Sequence, residues 1–536
     1  MFQRTLPILA LVLLPTFAQA QDAKQPAQTP PTLVVRLASL DTLYDDLKLV
    51  GGMLGKDDPT KQVDDAIKAK LGPKGLFGID GKRPIGFYAK VGKDISDISG
   101  VLMLPISTEK KFKEMLEAMD WKVTVDKDGI HTVEQNLLPM DVQYRIANKY
   151  AYIAILGQQE ELLKPANLLL PEKIFDGKHK AAVALTLRID QIPADARDAI
   201  LKGIKEQFGG INDAQKLPKG FEDTVKKEIE RIFTNVLTQG EELNVLVDIQ
   251  RKAKKLVVDL SLSAKADSEL AKDFKLLGQR TTLFAGVLHK DAALNGLLSF
   301  EIPPGLRKAF DSLVKDAMAK VVADTKDDIK KKQAAKLLDA LVPSLTSGEI
   351  DAALSLRGPH KDKTFTIVGG FKLKEGNKLA AAVFELLKDL PEAEQKLLKL
   401  NAATAGKVMI HRFDLQQMLG EAKAFVGDNP LFFVVRDDAL FFAIGNDGLP
   451  AIQQAVTADA TATPPLQFDI SVARFAGIID KSGGLGQKAE ALLKQGEDAR
   501  IAVSLQAGSE LRLRLTMNLA VLQLLLEKAD PVRPEK

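Results

Sequence analysis

The chain has 536 residues, with 74 basic and 71 acidic side chains for a net charge of +3, 46% hydrophobic residues and no cysteine. The charge balance offers no field for a polyanion, and the missing thiols exclude disulfides, Cys-ligated zinc, thiolate catalysis and a lipoprotein anchor. The length exceeds the roughly 250–300 residues at which single cores stop growing, so two domains or lobes are expected.

Arg4, an apolar run over residues 6–17 and Ala18-Gln19-Ala20 have the pattern of an export signal. A run of about a dozen residues is too short to span a bilayer, which takes roughly 20. Cleavage after Ala20 and a periplasmic or secreted location are expected. No later stretch reads as a membrane span. Residues 21–31 read as a flexible leader.

An irregular hairpin over 85–104 leads into a helix over 112–119. Strand-like blocks follow at 129–133 and 150–157, then a strand carrying Val183, Leu185, Leu187 and Ile189. Phe221, Val225, Ile229, Ile232 and Val236 make a helical stripe. Over 242–262 apolar and polar residues alternate: Val245, Val247 and Ile249, then Leu256, Val258, Leu260 and Leu262 after a turn. That is a hairpin with one buried face, opening after Gly240-Glu241 and running into an apolar helical segment at 270–277.

The second half takes up the same order of hairpins, strand blocks and helices, with helical insertions that differ between the halves: a stripe of Leu306, Phe310, Leu313, Ala317 and Val321 follows Pro303-Pro304. A hairpin opens after Gly348-Glu349 with Ile350, Ala352, Leu354 and Leu356 and leads into a helix over 379–390. Blocks at 409–413 and 440–445 precede a strand with Phe468, Ile470 and Val472. The last hairpin, Ile501, Val503 and Leu505 then Leu511, Leu513, Leu515 and Met517, follows Gly496-Glu497 and meets an apolar segment at 519–526. Matching blocks recur at offsets of about 255–290 residues, which predicts a whole-domain duplication. The expected fold is α+β: duplicated lobes over 32–278 and 279–530, each a largely antiparallel sheet with helices packed on one face. Val245, Val247, Ile249, Ile501, Val503 and Leu505 are expected to be buried.

Chemistry is sparse. The five histidines, His131, His179, His289, His360 and His411, never stand within a helical turn of one another, so no HExxH-type metal motif exists. His131 and His411 occupy matching places in the repeat, which makes them equivalent candidate ligand or acid–base sites, or else two strand histidines. Asp126-Lys127-Asp128-Gly129 lacks the ligand spacing of a calcium loop and reads as a tight turn. Gly75, Gly78 and Gly81, and Ser482 to Gly486, read as loops. The acidic pairs Asp45-Asp46, Asp57-Asp58 and Asp64-Asp65, and the basic run Lys330-Lys331-Lys332, read as solvated helix faces. Neither a cofactor nor a metal is expected, and nucleic acid is not an expected partner.

The least ordinary segment is 431–444, where Phe432, Phe433, Val434 and Val435 meet Ala439, Phe441 and Phe442 across Arg436-Asp437-Asp438. It reads as a hairpin apolar on both faces. Either it is packed between a helix and the sheet, or Phe432, Phe441 and Phe442 line a groove for an apolar ligand or a partner.

A small-x-small signal followed by a duplicated, cysteine-free alternation of hairpins and helices with histidine-bearing strands resembles uncharacterised secreted proteins of planctomycete-type bacteria. That resemblance supplies no catalytic residues. The expected function is an exported, non-catalytic binding or scaffolding protein of unknown ligand, with an apolar ligand or another envelope protein as candidate partners. The alternatives are a periplasmic carrier of a lipid or other apolar ligand, and a hydrolase whose site is assembled only on folding.

Overall fold

A computed structural model describes residues 30–522 and 524, apart from 54–57, 94–96, 135–141, 158, 176–180, 210–218, 326–327, 389–391, 416–418, 480–483 and 497. The expected export signal and the leader up to residue 29 lie outside the described residues. Among the described residues no helix is long and apolar enough to cross a membrane. The chain is α+β. Its packing gathers it into two compact units, residues 1–45 with 60–204, and residues 46–59 with 205–536.

In the first unit eight strands stand in the spatial order Val183–Arg188, Leu33–Leu37, Ile85–Val91, Ile98–Pro105, Tyr150–Leu156, Val142–Ala147, His131–Glu134 and Lys122–Val125. Every neighbouring pair is antiparallel. Numbered along the chain, the order is eighth, first, second, third, seventh, sixth, fifth, fourth. Alternation gives the sheet two apolar faces. Val34, Tyr88, Val101, Met103 and Tyr152 build a core on one. Tyr144, Ala151 and Val133 meet Phe112, Met115 and Leu116 of helix Glu109–Glu117 on the other. That helix starts where the Thr108 hydroxyl accepts the Lys111 N–H at 3.2 Å, satisfying one of the free first-turn donors. Asp126 closes the expected tight turn by accepting the N–H groups of Asp128 and Ile130, with Gly129 at φ 76°.

The second unit holds a larger antiparallel sheet. Strands Gly240–Gln250 and Lys255–Ala264 form the hairpin expected at 242–262, and Arg500–Gln506 with Glu510–Asn518 form the C-terminal one. The two hairpins are joined edge to edge through Lys255–Ala264 and Glu510–Asn518. This pairing ties residues 240–264 to the C-terminal strands, so the compact units divide differently from the boundary placed at 278. Beyond Arg500–Gln506 come Leu466–Ser471, Ala292–Glu301, Glu349–Arg357, Thr366–Lys372, Ala439–Ile444, Leu431–Val435, Val408–Phe413 and Leu398–Ala405. These last eight have the order of the first unit's eight strands. A pair of helices also stands after the first strand of each set: Leu40–Met53 with Pro59–Leu71, and Pro304–Asp324 with Asp328–Leu345.

Helices line both faces of this second sheet rather than the one face expected. Leu297, Val368, Phe441, Val434 and Ile410 form a core under Ala451, Ile452 and Ala455 of helix Gly448–Thr457. On the opposite face Phe384 of helix Gly376–Lys388 packs edge-on against His411, with ring centroids 5.3 Å apart. The physical reason is the doubly apolar hairpin, which must cover Phe441 on one side and Phe433 on the other. Asp46 also departs from its expected solvated role: it is buried and receives the Arg251 Nε–H at 2.6 Å, as a buried carboxylate requires.

Candidate apolar ligand face

The sequence-selected aromatics do not converge. Phe432 and Phe441 point to the face of helix Gly448–Thr457, where Phe441 is fully buried with its ring centroid 5.1 Å from that of Phe284. Phe442, the next residue along the strand, points to the other face and its ring occupies the space a side chain would need at Gly369. A groove lined by Phe432, Phe441 and Phe442 together is therefore excluded by the twofold period of a strand.

His131 and His411 stand on the fifth strand of their respective sets, each packed among aromatic rings. His131 is buried and stacked on Tyr144, centroids 4.6 Å apart and planes 9° apart, and its Nδ1 has no hydrogen-bond partner among the described residues. Burial, followed by the nearby Lys113 ammonium, holds its pKa below the ordinary histidine value. His411 lies against Phe433 and Phe384, its Nδ1 accepts the Asn401 N–H at 3.2 Å, and burial lowers its pKa too. No described carboxylate forms an ion pair with either ring.

A hydroxyl–histidine–carboxylate arrangement occurs elsewhere, at a histidine that sequence reasoning passed over. His360 Nε2 is 2.9 Å from Thr366 Oγ1, and its Nδ1 is 3.7 Å from an Asp447 carboxylate oxygen. Thr366 is fully buried and its hydroxyl also accepts the Asp447 N–H at 3.1 Å, so it ties two loops together and cannot meet a substrate. Among the described residues no three acidic or histidine side chains stand together as a metal site. In the first unit a cleft of about 310 Å³ is lined by residues that include Leu40, Asp41, Tyr44, Asp64 and Lys68. There Tyr44 is pushed up to about 12 by burial and by its hydrogen bond to Asp64.

The unusual surface is the face of the second sheet opposite helix Gly448–Thr457. Strand register aligns its side chains in rows that cross the strands. One row runs Val247, Val258, Leu515, Val503, Phe468 and Gly296. It continues through Leu354, Gly369, Phe442 and Phe433 to His411. The adjacent row contains Val245, Leu260, Leu513, Leu505, Leu466 and Leu298. Apart from the terminal His411, neither stretch carries a polar side chain. At roughly 4.8 Å per strand, the six strands of the adjacent row span about 24 Å.

Closure of this face is uneven. The row on its other side is roofed: Ile501 and Met517 pack beneath Ala473 and Ala476, while Leu294, Leu356 and Ile367 share a cluster with Phe475 of helix Val472–Ile479. Leu260, Leu298, Leu354 and Leu513 remain 38%, 39%, 42% and 39% exposed. Val245, Val247, Ile249, Ile501, Val503 and Leu505 are half-buried rather than buried as expected. Each of the four leucines forgoes about 1 kcal/mol of the burial free energy available to it. Leu298 and Leu354 border Gly296, where an added side chain would meet only the Phe468 ring, at 3.9 Å. Gly296 is thus a depression in the open row, whereas Gly369 is filled by Phe442. Glycine inside a strand marks close approach or a gap, and that was the signal available in the sequence.

No family model matches the chain, and no curated protein matches it. Among solved structures, crystal form IV of TP0453 is similar at 12% identity and a TM-score of 0.23, covering 44% of this chain and 78% of that one. Crystal form III of TP0453 gives 11% identity and the same TM-score, covering 45% and 79%. Likeness at that level supports neither a shared fold nor a shared activity.

Proposed function

We propose that this protein is an exported, non-catalytic binding protein that carries an apolar, chain-like ligand on the open face of its second unit. The observation that carries this reading is the Gly296 depression, bordered by two exposed leucines in rows without a charge. A folded protein gains by covering such residues, and a face left open across several strands is the mark of a binding surface. Charge selects the occupant. A partner with polar groups would have to desolvate them against side chains that offer no hydrogen bond, whereas a hydrocarbon chain loses nothing there. The non-catalytic part is supported by His131 and His411, which are packed against aromatic rings with no ion-paired carboxylate among the described residues, and by the buried Thr366 hydroxyl beside His360.

Displacement of a fluorescent fatty acid by palmitate, with native mass spectrometry of protein purified from its own envelope, tests the proposal. Saturable binding of the full chain, lost in Leu298→Asp and Leu354→Asp with the melting temperature retained, is the expected result. Absence of binding to palmitate and to phospholipid vesicles, or binding untouched by both substitutions, would overturn it.

A further inference from the structure

Strands Lys255–Ala264 and Glu510–Asn518 meet with Val258 opposite Leu515. Within its own hairpin Val258 faces Val247, and Leu515 faces Val503. Val247 and Val503 hold the same place after the matching Gly-Glu pairs, so Val258 and Leu515 are equivalent positions that have become each other's partners. An approximate twofold axis therefore passes between them. We infer that the two hairpins are equivalent halves of an internal dimer joined at this seam, and that each hairpin edge fits the other hairpin rather than a second copy of itself.

The charges on the opposite face of the same strands carry the specificity. Next to the central pair, Asp259 faces Arg514 and accepts two hydrogen bonds from it, Nε to Oδ1 at 2.7 Å and Nη2 to Oδ2 at 2.8 Å. The twofold mate of that pair is Val257 opposite Thr516, which has no charge. If either strand paired with its own copy about the same axis, Asp259 would face Val257 and Arg514 would face Thr516. Asp259 is only 13% exposed, so losing its partner strands a carboxylate in a poorly solvated place. Mixed pairing inside one chain keeps both charges matched. It also sets the register of the apolar rows, because a slip of one residue would turn every leucine to the wrong face.

The absence of cysteine makes the test direct, and it is independent of the ligand reading. Partners across an antiparallel pair lie within the distance a disulfide spans. The double variant Val258→Cys with Leu515→Cys is expected to close within one chain on oxidation, while each single variant stays monomeric on a non-reducing gel. Disulfide-linked dimers as the main product of a single variant, or failure of the double variant to close, would overturn the inference. A second measurement covers poor folding of those variants. Asp259→Arg and Arg514→Asp are each expected to lower the melting temperature by on the order of 5 °C, and the exchange of both to recover more than half of it. No recovery in the exchanged variant would also overturn it.

Discussion

Two rows at matching places in the two units, each ending on a histidine, differ in what fills them. In the first unit the row reads His131, Tyr144, Ile153, Leu102, Phe87, Val35 and Leu185. In the second it reads His411, Phe433, Phe442, Gly369, Leu354, Gly296 and Phe468. Strand order is the same, but Leu102 and Val35 are answered by Gly369 and Gly296. None of the seven residues in the first row is exposed, whereas Leu354 in the second is 42% exposed. One topology can thus yield a row without an exposed side chain or a row with an exposed leucine, and the open point of the second row, Gly296, stands where the first has Val35.

The comparison breaks most severely from the filled side. Leu102→Gly removes a packed side chain and loosens the strand, and is expected to cost about 2–3 kcal/mol in chemical denaturation. An unchanged midpoint would mean that the first row is no better packed than the second.

Gly369→Ala tests whether the second row is closed at that point. Phe442 already occupies the space, so the added methyl should cost about 1–3 kcal/mol through displacement of the ring. Gly296→Val at the open point should behave in the opposite way. It has room, and valine favours a strand, so stability should rise by up to about 1 kcal/mol while binding of the fatty-acid probe falls at least tenfold. Equal losses of stability at Gly296 and Gly369 would remove the distinction between a filled and an empty glycine.

The smallest expected effect is in pH. The folded pKa of His131 lies below its ordinary value, so the unfolded chain takes up the proton first. Stability from this group is complete above about pH 6.5 and falls as pH drops below it, by at most about 1.4 kcal/mol per pH unit. His411 is displaced in the same direction. Denaturation between pH 7 and 5 should show this slope, and His131→Phe should reduce it. A slope of the opposite sign would place a carboxylate beside the ring.

Much of this was legible in the residues themselves. Period-two alternation marked the hairpins at 242–262 and 501–517, because a half-buried strand sends successive side chains to opposite faces whatever its neighbours are. The doubly apolar segment 431–444 was legible for the same reason, and so was the tight turn at Asp126. The contributions of Asp46, His360 and Gly296 were not, since each depends on a residue far away along the chain: Arg251, Asp447, and Phe468 with Leu354. By itself the sequence determined the α+β class, the hairpins at 242–262 and 501–517 and the recurring order of the blocks it marked, all of which follow from local periodicity and turn chemistry. Only the tertiary structure decided that Phe432 and Phe441 point away from Phe442, that the two hairpins join at Val258 and Leu515, and that one apolar face stays open. Those are matters of which surfaces meet, and burial is a property of the pair of surfaces rather than of either segment.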